Sequence, residues 1–480
     1  MDAKQIRRLK PMLTRYLKQF DDCFARRDTR AHLPIYVGGQ LSDLGAKSCE
    51  PIALHVGVAP RTLQEFLAQH RWDEDSLRNR LREIVISQHA GPNSIGIIDE
   101  TSDVKKGLKT PGVQRQWCGT VGKTENCLVT VHLGYATGDF HCLIDGELFL
   151  PESWSEDRER CREAGIPDDM IYRPKWNISL ELYDRATAGG MVFDWIGFDE
   201  GYGGKPPFLR GLHDRKQLFV GEVPTTFSGW ITPPRITRRP FHRNRGPGRK
   251  TPRAVSGSRP AIAVKNMLKY SPDLRDQPWV GYRIKDGQKG PIVWEAKRTM
   301  ITIKDEEDLP GIRLHLVVAR NMIDTDEVKY FVGNAPPETA VETLLLVGFS
   351  RWRVERCFQD QKQEVGLDQW EGRRYLGLKR HLILSCVSYL FLATVREQLR
   401  EKKSRANDLP SPRGSRLVGS LLVAQQSCIG ETDRTHRRED PIQPTTQRPS
   451  SQEPYQAYTQ ETTENGHQIE KPHSLQMAMT

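Results

Sequence analysis

The residues Met191–Phe198 read MVFDWIGF and lead directly into Asp199, which opens the glycine-rich turn at residues 200–204. An earlier run, Ile95–Ile98 (IGII), leads in the same way into Asp99. Short apolar runs bounded by turn residues predict buried strands. We therefore expect both aspartates at the ends of strands, where an ordinary surface role explains them poorly.

A third carboxylate, Glu355, lies in a stretch with helical spacing. At about 100° per residue, Arg351, Glu355, Phe358 and Lys362 share one stripe roughly 60° wide. Arg351 and Lys362 are expected to keep Glu355 ionised and to reach phosphates. The competing interpretation is a solvated i,i+4 Arg–Glu pair, worth only ~0.3–0.5 kcal/mol.

Taken together, the three acids predict a site for two divalent cations. Hard cations prefer oxygen ligands, and two of them can drive in-line phosphoryl transfer. The net charge of +10 and the pI near 9.1 suit a polyanionic partner. In a basic chain, nucleic acid is the natural source of the phosphate.

Composition and length limit the number of domains, the kinds of cysteine site and the cellular location that we expect. A length of 480 residues predicts two to four domains. The nine cysteines are scattered singly without a C-x-x-C pair, which supports neither a zinc site nor a disulfide framework and fits a reducing cytosol. The longest apolar run, Leu382–Val395, is too short to span a bilayer and predicts a buried helix. We expect a cytoplasmic protein without a membrane partner.

Residues 1–90 are predicted to be helical and to bind DNA. Within them, residues 51–67 have the pattern of a helix-turn-helix, with a glycine turn and a proline that opens the second helix. Arg61, Thr62 and Gln64 would lie near that helix start, where recognition helices meet DNA. Two packed helices joined by a glycine turn explain the pattern about as well.

The rest of the chain divides by composition. Residues 91–223 and 338–403 are predicted to form the core, residues 224–337 a β-rich insertion, and residues 404–480 a disordered polar tail. Within the insertion, residues 231–260 contain nine Arg or Lys and no acid. We interpret this stretch as a mobile loop on a phosphate backbone, with a solvated linker as the alternative. Its candidate DNA contacts are Arg238, Arg239, Arg243 and Arg245.

At these residues the chain resembles DDE transposases of bacterial insertion sequences, in the branch with a β-rich insertion between the second Asp and the Glu. Residues 97–102 (IIDETS) are similar to the first-Asp region of that family, and residues 198–203 (FDEGYG) to the second. Arg351, Glu355 and Lys362 match the last three positions of the signature Tyr-x2-Arg-x3-Glu-x6-Lys. Its tyrosine position is occupied by Gly348.

The resemblance implies an α/β protein with an RNase H-like mixed-sheet core. Asp99, Asp199 and Glu355 would be catalytic and would hold two Mg²⁺ ions, with Mn²⁺ as a substitute. Arg351 and Lys362 would grip the DNA end. The partners would be double-stranded DNA, as terminal inverted repeats and as target, and a second copy in a synaptic homodimer associated with the bacterial nucleoid.

Two alternatives remain open from the sequence. A non-catalytic, sequence-specific DNA-binding protein would use residues 51–67 and 231–260 while the carboxylates only cap strands. A DNA nuclease without strand transfer would use the same three acids with water as the nucleophile.

Overall fold

A computed structural model describes residues 3–238, 251–287, 290–305 and 307–404. The N-terminal segment is helical, as predicted. Its helices are α1 (Ala3–Lys18), α2 (Arg27–Arg30), α3 (His32–Gln40), α4 (Cys49–His55), α5 (Pro60–Ala68) and α6 (Glu74–His89). A positive φ at Gly57 allows the turn between α4 and α5.

The central layer is one large mixed sheet. Its first six strands are β1 (Ile95–Val104), β2 (Gln114–Cys118), β3 (Lys123–Thr137), β4 (Phe140–Leu148), β5 (Trp195–Phe198) and β6 (Phe219–Val223). The order across the sheet is β4-β3-β1-β5-β6. β1, β5 and β6 are mutually parallel, and β3 runs antiparallel to both β1 and β4. This arrangement confirms the predicted RNase H-like α/β core.

Five helices connect these core strands: α7 (Glu152–Glu156), α8 (Arg158–Ala164), α9 (Lys175–Ala188), α10 (Glu200–Gly203) and α11 (Pro206–Asp214). Helix α9 covers one face of the sheet, where it buries Ile178, Leu182 and Ala186. It also carries Arg185, whose contact with β4 is described below.

Most strands after residue 224 extend the same sheet, whereas β8 and β9 form a separate two-stranded sheet. The remaining elements there are β7 (Ser228–Trp230), β8 (Ile236–Thr237), β9 (Arg253–Ala254), β10 (Ile262–Ala263), α12 (Val264–Tyr270), α13 (Pro272–Arg275), β11 (Val280–Gly287), β12 (Gly290–Lys304), β13 (Pro310–Asn321) and β14 (Val328–Gly333). β14 pairs with β6, so the core and the inserted strands share one hydrogen-bonded ladder. Part of the basic stretch that was interpreted as a loop is a short antiparallel pairing of β8 with β9.

The last described helices are α14 (Val341–Phe349), α15 (Trp352–Asp360) and α16 (Tyr375–Ser404), with a π-helical turn at Gln361–Val365. The N-terminal helices pack around α16: the Tyr16 hydroxyl donates to the Val387 carbonyl (2.8 Å), and Tyr36 is hydrogen-bonded to His381 (2.8 Å). Helix α16 has the length and apolarity of a membrane span, but 72% of the span-like stretch is buried inside the protein. Packing therefore accounts for its apolarity. The tail predicted at 404–480 lies, beyond Ser404, outside the described residues.

Candidate active site

The register of two parallel strands brings Asp99 and Asp199 together. Ile98 of β1 pairs with Phe198 of β5, and each aspartate is the next residue along its chain. Asp199 follows the end of β5 as expected, but β1 continues past Asp99 to Val104, so the expectation that Asp99 ends a strand was wrong. Residues at equivalent positions of adjacent strands project from the same face of a sheet. Asp99 is only 6% exposed, so the pair lies at the edge of the core.

Asp199 also caps the helix that follows it. Its Oδ1 accepts hydrogen bonds from the backbone N–H groups of Gly201 (3.0 Å) and Tyr202 (3.3 Å). Such a cap satisfies donors at a helix start and fixes the side chain. The carboxylate of Asp199 is therefore already oriented by its own backbone.

The environment of Asp99 disfavours its charge. Burial, followed by the nearby carboxylate of Asp199, raises the pKa of Asp99 to about 7, although Arg351 opposes this shift. The backbone N–H of Glu100 donates to Asp99 Oδ1 (2.7 Å). Two close carboxylates in a partly buried position repel one another, and a cation between them would relieve that repulsion.

Helix α15 brings the third acid to the same edge through an arginine. Arg351 Nη1 lies 3.2 Å from Asp99 Oδ2, and Arg351 Nη2 lies 2.8 Å from Glu355 Oε1. Burial lowers the pKa of Arg351, but the carboxylates of Asp99 and Glu355 outweigh that effect and raise it overall. The Glu355 side chain is 54% exposed, so solvent reaches its ion pair with Arg351.

The donor set fits a hard divalent cation. Asp99, Asp199 and Glu355 supply only carboxylate oxygens, the ligands that Mg²⁺ prefers. Across the described ranges, however, no three His, Cys, Asp or Glu side chains are assembled at metal-binding distance, and Glu355 is paired with Arg351. Metal binding by all three would require the exposed Glu355 side chain to rotate towards the aspartates.

Lys362 is held away from Glu355. Its ammonium donates to the Ser102 carbonyl (2.9 Å) and to Thr120 Oγ1 (3.1 Å), and lies 3.0 Å from Asp103 Oδ1. The π-helical turn that contains it departs from the 100° spacing used to place it beside Glu355. The Lys362 ammonium is therefore bound by residues at the end of β1 and by Thr120, and not by Glu355.

The candidate DNA contacts on α5 lie beside a cleft of about 570 Å³. Arg61 and Gln64 are exposed and Thr62 is half-buried. Arg61 forms an ion pair with Glu65 (2.6 Å). Arg373 and Arg374 line the same cleft together with Glu50, Glu65 and Glu371, so its lining carries charges of both signs.

The basic loop is described only at its margins. Arg238 is exposed, whereas Arg239, Arg243 and Arg245 lie outside the described residues.

The sequence did not point to a fourth acid at this edge. Phe198 of β5 pairs with Gly221 of β6, so Glu222 occupies the position beside Asp199. Lys329 of β14 binds its carboxylate (2.9 Å). Glu222 follows the apolar residues 218–221, but Val223 continues that run. A pattern that selects acids at the end of apolar runs therefore missed it.

An RNase H-like sheet with paired aspartates at its parallel edge and a glutamate on a later helix defines a class of metal-dependent nucleic-acid enzymes. The chain matches the family described as "DDE superfamily endonuclease" over residues 19–291. That match covers more than half of the 480 residues. The protein belongs to this family.

One curated relative is the "Probable transposase for insertion sequence element IS701" of Microchaete diplosiphon, 36% identical over 168 residues. The aligned part is 34% of this chain and 41% of that relative, so the similarity spans less than half the length of the relative. A solved structure, the NurA nuclease from Sulfolobus solfataricus, overlaps 67% of this chain and 87% of its own at 9% identity. Its TM-score is 0.26, which is too low to support a conclusion.

Proposed function

We propose that this protein is the transposase of a bacterial insertion sequence. It would cut DNA at the element's terminal inverted repeats and join the freed ends to target DNA. The observation that carries the proposal is the pairing of Asp99 with Asp199 by the β1–β5 register, in a chain of the DDE endonuclease family. The similarity to a probable transposase adds support.

In this proposal Asp99, Asp199 and Glu355 hold two Mg²⁺ ions, for which Mn²⁺ can substitute. The ions would supply an activated water or 3′-hydroxyl and would stabilise the leaving oxygen. The family match ends before Glu355. The role of Glu355 therefore rests on its link to Asp99 through Arg351.

The protein's own groups would position the DNA. Arg351 stands at the acidic edge, where its planar guanidinium suits a phosphate, and Lys362 adds positive charge at the end of β1. The helical segment 1–90, with Arg61, Thr62 and Gln64 on α5, would hold the element end. The basic stretch 231–260 would contact the backbone of the same DNA, within a synaptic homodimer.

The test is cleavage of a linear DNA that carries the inverted repeats flanking the coding region. We expect cutting at the repeat ends with Mg²⁺, and binding without cutting when Ca²⁺ replaces it. Asp99→Asn should abolish cutting but keep DNA affinity, whereas Asp324→Asn, in the exposed β13–β14 turn, should leave both intact. Cutting that survives Asp99→Asn would refute the assignment.

A second assay separates transposition from simple hydrolysis. When a supercoiled target plasmid is added, a transposase yields joined products, whereas a nuclease that uses the same acids yields only cut ends. A protein that binds the repeats but neither cuts nor joins would be the non-catalytic alternative.

A further inference from the structure

The hairpin formed by β11 and β12 reaches the helix that carries Glu355. Lys285 of β11 places its ammonium 4.2 Å from the ring centroid of Trp352, the first residue of α15. The β11–β12 register shifts between Arg283 and Lys285, and such bulges re-aim side chains. The insertion therefore places the Lys285 ammonium against α15, the helix that carries Glu355.

A second cation lies next to this contact. Arg353 follows Trp352 on α15 and is half-buried, and its guanidinium forms no hydrogen bond or ion pair with another described residue. Burial lowers the pKa of Arg353, Asp139 opposes this shift, and the two side chains form no ion pair in the described part of the chain. A partly buried guanidinium without a partner is costly, and an anionic ligand would offset that cost.

The charges facing this pair do not cancel it. Partial burial, followed by Arg353, lowers the pKa of Lys285, whereas Glu355 opposes this shift. Among the described residues, neither Glu355 nor Asp139 forms an ion pair with Lys285 or Arg353. The nearby His141 stays neutral, because burial and the surrounding arginines lower its pKa to about 3. The Asp139 carboxylate also pairs with Arg400, whose Nη1 lies 3.9 Å from Asp139 Oδ2.

Trp352 remains accessible between the two cations. Its side chain is 41% exposed, and it holds Lys285 on one ring face by a contact of a kind worth ~0.5–1 kcal/mol at exposed sites. The cations are thus presented at the surface, beside Glu355, and are not buried in the core.

We propose that Lys285 and Arg353 form a phosphate-binding surface, on which one DNA strand lies as it meets the acidic edge. The surface combines a strand of the insertion with the catalytic helix and gives the insertion a direct part in holding substrate. The proposal rests on the proposed function only in taking DNA as the polyanion.

Salt dependence of DNA binding tests this surface without requiring catalysis. The affinity for a short fluorescent duplex would be measured by anisotropy over a range of KCl concentrations with Ca²⁺ present. Each phosphate contact contributes about 0.9 to the slope of log K against log [salt]. We expect Lys285→Gln and Arg353→Gln each to lower the slope by about one and the double variant by about two.

Two further variants make the result specific. Lys269→Gln removes an exposed lysine of the same insertion that lies 5.1 Å from the Tyr270 ring, and it should leave the slope unchanged. Lys285→Arg keeps the positive charge and should give the wild-type slope. Circular dichroism checks that each variant is folded. An unchanged slope in Lys285→Gln, or an equal loss in Lys269→Gln, would overturn the surface.

The outcome is independent of the transposase assignment. A lowered slope in a protein that never cuts DNA would leave the surface standing and remove the nuclease proposal. Normal cutting with an unchanged slope would support the nuclease proposal and overturn the phosphate-binding surface.

Discussion

The guanidinium of Arg351 binds Asp99, with Nη1 3.2 Å from Oδ2, and its other terminal nitrogen binds Glu355. One cation thus neutralises two of the three acids proposed to bind metal. Because a metal ion and this guanidinium would use the same carboxylate oxygens, they should compete.

Removal of Arg351 should therefore tighten metal binding in the absence of DNA. We expect Arg351→Gln to bind Mn²⁺ about three- to tenfold more tightly, which is ~0.7–1.4 kcal/mol, in titrations followed by electron paramagnetic resonance. Arg356→Gln is the matched control, because Arg356 pairs with Asp360 on the same helix (2.8 Å). An Arg351→Gln protein that binds Mn²⁺ no more tightly than wild type would contradict the competition.

The raised pKa of Asp99 predicts a stability cost at the site. The pKa of about 7 in the folded protein exceeds the ordinary value of 3.8, so the unfolded chain releases this proton first as pH rises. Stability from this group is complete below pH 4 and is lost as pH rises through 7. In metal-free buffer, Asp99→Asn should be more stable than wild type by ~1–3 kcal/mol at pH 8.

Urea unfolding at pH 8 and pH 5 measures this effect. The gain of Asp99→Asn should shrink at pH 5, where wild-type Asp99 is mostly protonated. Asp324→Asn, in the exposed β13–β14 turn, should show no such pH-dependent difference. A gain that is the same at both pH values would argue against the raised pKa.

Much of the core could be predicted because its signals are local. The run before Asp99, the period-two pattern of β3 and the helix before β5 each depend on a few neighbouring residues. These elements appear as β1, β3 and α9. Two aspartates that end apolar runs were enough to select the positions that the β1–β5 register pairs.

The rest of the site depends on information that no local pattern carries. The π-helical turn shifts Lys362 away from the stripe calculated for a regular helix, and Asp103 then holds it. Glu222 reaches the edge only through the pairing of β5 with β6. Lys285 lies on β11 and contacts Trp352 of α15, and no local pattern indicates that contact. Each case requires a contact between residues that are distant in sequence or a departure from ideal geometry.

Position 348 is predicted to reject the tyrosine of the family signature. A Cβ added at Gly348 would lie 2.9 Å from Phe331 Cδ1, and the neighbouring Phe349 already packs on Trp294 and Phe331. Overpacking of this kind costs ~1–3 kcal/mol, so Gly348→Tyr should lower the free energy of unfolding by about that amount in urea titrations.

The matched substitution is Gly38→Ala in α3. A Cβ there meets no atom within 4 Å, and replacing a helical glycine by alanine normally stabilises by ~0.5–1 kcal/mol. If Gly348→Tyr were as stable as wild type, Phe331 and Phe349 would have to repack with little cost, and the site could accommodate the signature residue.

A buried charge cluster should hold the N-terminal helices to the catalytic sheet. Asp145 of β4 is 1% exposed and pairs with Arg78 (3.0 Å) and Arg82 of α6 and with Arg185 of α9 (2.9 Å). Burial raises the pKa of Asp145, but the three arginines outweigh it and hold that pKa below the ordinary value. Removing the carboxylate would leave the nearly inaccessible Arg78 and Arg82 without their shared counter-charge.

Asp145→Asn should accordingly destabilise the protein by ~3–5 kcal/mol, as expected when one partner of a buried ion pair is removed. Asp184→Asn breaks the partly exposed pair with Arg215 (2.6 Å) and should cost less than ~1 kcal/mol. Chemical unfolding compares the two variants directly. Equal, small losses would mean that water or the asparagine amide compensates the arginines, so that the cluster does not join α6 and α9 to β4.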